Sequence, residues 1–183
     1  PTPEDPAGIA EDMEFIELYN ELTVPADLSG YRFTQGIHYQ FPTGFKADGK
    51  PLASLGRGEY LVLASDAAAF EARYGFAPFG EYYGSLGNGG DTIVLENDAG
   101  DPYDAADPLN TLGRREGAYQ IAFDYDDEGS WPTACDGTGH PLCLIDPFGD
   151  QGDSYNWTAS PRLWGTPGRQ NGRGQGPLRR DTE

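Results

Sequence analysis

The chain has 183 residues, with 12 basic against 30 acidic side chains and a formal charge of −18. A surface of that sign repels phosphate backbones, which are held mainly by Lys and Arg, and anionic bilayers for the same reason, so it argues against nucleic-acid partners and direct membrane insertion. No stretch approaches the ~20 apolar residues of a membrane span, and the length suits one domain with a core of its own.

In chain order, residues 1–13 are rich in Pro, Asp and Glu and read as an irregular acidic lead-in. Strand signals follow at Phe15–Tyr19, Tyr31–Thr34, Tyr39–Phe41, Tyr60–Ala64 and Thr92–Leu95. Tyr60–Ala64 and Thr92–Leu95 are apolar throughout and bounded by Gly or Asp, as in strands buried on both faces. Between them, Ser65-Asp66 can cap a helix over Ala67–Tyr74 that Gly75 can end; Phe70 and Tyr74, four apart, share a face. Asn88-Gly-Gly-Asp91 supplies residues tolerant of positive φ and reads as a tight turn, without the Lys-Ser/Thr of a phosphate loop. Asp98–Gly117 holds Asp-Pro twice and reads as a long loop. Tyr119, Ile121, Phe123 and Tyr125 alternate onto one face of a strand, and Leu142–Ile145 closes the series. Residues 14–169 therefore read as an all-β sandwich of about seven to nine strands with one short helix, and 170–183 as a disordered linker or tail.

The side chains that carry chemistry are few. Asp124, Asp126 and Glu128 stand at positions one, three and five before Gly129, as at the start of an EF-hand loop, but position twelve is Cys135 rather than Glu and no helices flank it. A looser calcium site on these three carboxylates and a solvated strand end are both open readings. Cys135 and Cys143 flank Asp136-Gly-Thr-Gly139, so a hairpin disulfide is one reading and two semi-buried thiols the other. With His140 these cysteines do not make a known structural zinc spacing. Glu14 and Glu17 read as the wet face of an apolar strand rather than an acid–base pair. Trp131, Trp157 and Trp164 each adjoin a turn; covering the sandwich ends and stacking on sugars are the alternatives. Asn156-Trp-Thr158 is a glycosylation sequon that would be silent in a bacterial protein. No catalytic residue and no cofactor are assigned.

Seven phrases stand in a fixed order: Glu14-Phe-Ile-Glu-Leu-Tyr-Asn20, Ala26-Asp-Leu-Ser-Gly-Tyr-Arg-Phe33, Gly58–Asp66, Ser85–Leu95, Ser130-Trp-Pro132, Asp136–His140 and Gly165–Arg169. Together they resemble the bacterial-type lamin-tail domain, an immunoglobulin-like sandwich. The resemblance implies an interaction or anchoring module of an exported or cell-surface bacterial protein, with a protein, a cell-envelope component or a polysaccharide as partner. A carbohydrate-binding module assisted by calcium, or an accessory domain severed from a secreted enzyme, is the alternative. The family's usual opening strand has no counterpart in residues 1–13. Beginning with Pro, the chain reads as a piece of a longer polypeptide whose export signal lies outside it.

Overall fold

The structure, a computed structural model, describes residues 13–97 and 119–171, and for Tyr119 and Gln120 the backbone alone. The acidic lead-in up to Asp12, the Asp98–Gly117 loop and the tail beyond Asn171 lie outside the described residues.

Strands β1 (Phe15–Tyr19), β2 (Ala26–Asp27), β3 (Arg32–Gln35), β4 (Ile37–Gln40), β5 (Ser54–Leu55) and β6 (Tyr60–Ala64) precede helix α1 (Ala67–Tyr74). After it come β7 (Gly80–Glu81), β8 (Tyr83–Gly84), β9 (Asp91–Asn97), β10 (Tyr119–Tyr125), β11 (Leu142–Leu144) and β12 (Trp157–Ala159). One sheet runs β1-β6-β7 and the other β10-β9-β3-β4-β8, with β11-β12 and β2-β5 as separate ribbons. The described residues thus hold 12 strands rather than seven to nine. Four of the five unexpected ones, β2, β5, β7 and β8, are two residues long, too short to show a period-2 pattern in sequence.

Why the two sheets stack follows from β6. Its residues Leu61 to Ala64 are all buried, and alternation sends Leu61 and Leu63 to one face and Val62 and Ala64 to the other. On the first face they join Phe33, Ile37, Ile93 and Leu95 of the five-stranded sheet in the main core. On the second face Val62 and Ala64 pack with Phe70 of α1 in a smaller core that Phe15 and Tyr74 border. The helix takes the expected bounds: Asp66 Oδ1 accepts the Ala69 N–H at 2.8 Å, and Gly75 closes the end in the left-handed region. Phe70 is fully buried, with the Phe15, Tyr74 and Phe76 rings at 6.0, 4.5 and 5.2 Å.

Between β3 and β4 stands a single residue, Gly36, at φ +76°. A Cβ there would come within 2.5 Å of Ile93 Cδ1, so the hairpin closes against β9 only with glycine. Asn20, buried at the end of β1, donates from Nδ2 to the Leu55 and Val24 carbonyls and accepts the Leu22 N–H, satisfying two backbone groups of the turn that follows and one at the end of β5.

Phe70→Ala empties the centre of the smaller core. It should lower stability by about 3–5 kcal/mol, read as a lower urea midpoint at unchanged m-value.

Candidate functional site

The carboxylates of the first strand are not a wet face. Three residues apart along extended chain, Glu14 and Glu17 point to opposite faces and cannot share a proton. Glu14 Oε2 accepts the Leu86 N–H at 2.9 Å and the Tyr82 hydroxyl at 3.3 Å, joining β1 to the segment after β8. Glu17 Oε2 accepts the Gly168 N–H at 2.6 Å. Burial pushes the Glu17 carboxyl up to about 7, with the Gly168 N–H opposing the rise. The sequence pattern missed this because strand alternation does not reveal that the Trp164–Gly168 segment returns to cover that face.

Asp124, Asp126 and Glu128 do not converge. Asp124 Oδ1 accepts the Thr92 hydroxyl across the β9–β10 ladder at 2.6 Å. Asp126 Oδ1 accepts the Glu128 N–H at 3.0 Å, an Asx turn, and the Glu128 and Asp127 amides hold its carboxyl below the usual range. Among the described residues no group of three or more His, Cys, Asp and Glu is placed to hold a metal.

In the structure both cysteines are free thiols, Cys143 buried and Cys135 partly so. Burial pushes Cys135 up to about 11 and Cys143 up to about 12, where Cys135 and Glu17 add to the rise, so neither is an activated nucleophile. His140 is occupied otherwise, its Nδ1 lying 2.8 Å from the Ser160 carbonyl.

None of the three tryptophans is an exposed platform; all are partly buried. Trp157 stacks on Phe123 at 5.4 Å and lies 6.1 Å from Trp131, fastening the β11–β12 ribbon to the edge of the five-stranded sheet. Trp164 carries the Arg73 guanidinium 4.1 Å over its ring, and its carbonyl accepts the Tyr74 hydroxyl.

What is displayed is the loop between β11 and β12. Ile145, Phe148 and Tyr155 there are 60%, 75% and 79% exposed, although all are large and apolar. The backbone beneath them is held firmly. Asn156 Nδ2 donates to the Asp146 and Asp150 carbonyls at 2.9 and 3.2 Å, and its Oδ1 accepts the Asp146 N–H at 2.9 Å. Asp146, Asp150 and Asp153 each accept an N–H two residues on, from Phe148, Gly152 and Tyr155. Trp157 Nε1 donates to the Gln151 carbonyl. A Cβ on Gly149 would meet Asn156 Nδ2 at 2.6 Å, so glycine lets the loop close over that amide. The sequon nitrogen is thus committed to the loop. The sequence did carry a sign of it, in Asp at 146, 150 and 153, each two residues before a bonded amide.

Such a loop offers a preordered apolar contact surface with acidic turns around it, and no nucleophile, base or metal cage. A family model described as Lamin Tail Domain matches residues 2–108, more than half of the 183 residues. No curated protein and no solved structure matches the chain.

Asn156→Ala removes three loop hydrogen bonds and should cost about 1–3 kcal/mol while speeding amide exchange across Asp146–Asp153; Phe148→Ala should stay within about 0.5 kcal/mol of the parent. For Glu17, the folded chain keeps the proton up to about pH 7, whereas the unfolded chain releases it near the ordinary 4.5. The folded state therefore binds the extra proton between these values, and stability falls as pH rises through that window. Glu17→Gln lacks this dependence. Relative to the parent it should gain roughly 2–3 kcal/mol between pH 4.5 and about pH 8, at ~1.4 kcal/mol per unit, measured by urea titration at each pH.

Proposed function

The chain belongs to the Lamin Tail Domain family, and from that premise we propose that it is an interaction or anchoring module of a larger exported or cell-surface bacterial protein. Lamin-tail domains are immunoglobulin-like and generally non-enzymatic. The observation that carries the reading is the β11–β12 loop, which presents Ile145, Phe148 and Tyr155 to solvent on a hydrogen-bonded backbone. Large apolar side chains held this far out lose little entropy on docking, because the loop beneath them is already ordered. Aromatic anchors of this kind dominate the energetics of protein interfaces.

The partner in this reading is a protein or other cell-envelope component. The chain's charge of −18 disfavours nucleic acid. Among the described residues no helix is long and apolar enough to cross a membrane. The partly buried setting of all three tryptophans gives a sugar-stacking role no support, and the reading assigns no cofactor.

The purified chain should bind isolated bacterial cell envelopes. Binding should survive periodate oxidation of the glycans and be lost when the envelopes are first treated with protease; the reverse pattern would replace the protein partner with a polysaccharide. Phe148→Ala with Tyr155→Ala should weaken binding on the order of tenfold or more at an unchanged melting temperature. Envelopes that bind neither protein would sink the anchoring reading.

A further inference from the structure

Among the described residues strand β1 is an edge: β6 pairs with it on one side and no described strand pairs with it on the other. Its bonding parity is set by its ends, where the Ser65 N–H donates to the Glu14 carbonyl and the Asn20 N–H to the Glu59 carbonyl. In an antiparallel ladder the even-numbered residues then exchange hydrogen bonds with β6, and the N–H and C=O groups of Phe15, Glu17 and Tyr19 face away from it. Strand β10 is likewise the edge of the five-stranded sheet.

Both edges line one cleft of about 2560 Å³. Ligand pockets run to roughly 300–1,000 Å³, so this space suits a length of polypeptide better than a small molecule. Its apolar walls include Ile16 and Leu18 of β1, Ile121 and Phe123 of β10, and Leu142 and Leu144 of β11. The charged residues described along it are of one sign. Glu17, Glu21, Asp126, Asp127, Asp136 and Asp146 are among its lining residues, and among the described residues no Lys or Arg lines it. Nε1 of Trp164, which lines the same cleft, is a buried donor without an acceptor among the described residues.

We propose that this cleft receives an extended segment of a cationic polypeptide, which adds as a strand to the free edge of β1 with apolar side chains toward Ile16, Leu18 and Phe123 and a lysine or arginine beside Glu17. The proposal rests on reading the chain as an interaction module and names the partner's chemistry. Main-chain hydrogen bonds to Phe15, Glu17 and Tyr19 supply affinity, and alternate side chains supply specificity. A second copy of the chain is a poor occupant, since antiparallel self-pairing centred on Glu17 sets two carboxylates opposite each other and adds one −18 surface to another. A cationic strand meets the reverse situation, with Glu17 gaining the counter-charge that burial denies it.

Selection of a phage-displayed random-peptide library on the full chain tests this. The selected peptides should alternate β-branched or aromatic residues with Lys or Arg. A synthetic copy should slow amide exchange at Phe15, Glu17 and Tyr19. Methylating the amides that pair with β1 should abolish its binding, and Glu17→Gln should weaken it roughly tenfold at pH 8, the scale of one charge-assisted hydrogen bond. A library that yields no binder, acidic or non-alternating winners, or protection confined to the β11–β12 loop would overturn the proposal. Those results leave the module reading standing wherever envelope binding persists. A concentration-dependent dimer that protects the same β1 amides would make a second copy the occupant and overturn it too.

Discussion

Everything in this fold leans on a strand that has no exposed face. With Leu61 to Ala64 buried throughout, β6 must be covered on both sides or it fails. The five-stranded sheet covers Leu61 and Leu63, and α1 covers Val62 and Ala64. Burial of such side chains is worth ~1.5–3 kcal/mol each, so neither cover is optional. The short helix is therefore a lid on a sheet, although its own sequence is only weakly amphipathic. The parallel β7 strand extends the same sheet, and the Phe79 N–H donates to the Val62 carbonyl.

Around that frame, polar groups act mostly as ties between segments distant in sequence. Glu14 reaches the segment after β8, Asn20 reaches the turn before β2 and the end of β5, and Glu17 and Tyr74 hold the returning Trp164–Gly168 segment. A buried acceptor left unpaired costs more than its bond returns, which is why these side chains each serve backbone amides or carbonyls. The surplus of carboxylates is spread over turns and rims. Several, such as Asp146, Asp150 and Asp153, are consumed in shaping loops, and among the described residues no group of carboxylates is placed to hold a metal.

Much of the architecture was legible beforehand. The seven strands expected from apolar runs and alternation are present, and α1 has its expected bounds. These features are local: period, capping and positive φ leave marks within a few residues. The two-residue strands left none. The site was less legible. The acidic cluster at 124–128 drew attention for its composition yet serves the ladder and a turn, while the loop that displays Phe148 and Tyr155 lay behind an apparent sequon. Composition marks charge, but only partners tell whether a carboxylate is free.

By itself, then, the sequence determined the longer elements and their order, and with the ordered phrases it pointed to the family, because short-range periodicity and turn chemistry are written residue by residue. Tertiary structure alone decided the rest. It set the fate of Glu17, half-buried and accepting the N–H of Gly168 some 150 residues away. Among the described residues it left β1 and β10 as edges of one acidic cleft, and it kept the three tryptophans from forming a platform. Each of these depends on which distant surfaces meet, and burial and charge pairing come into being only when they do.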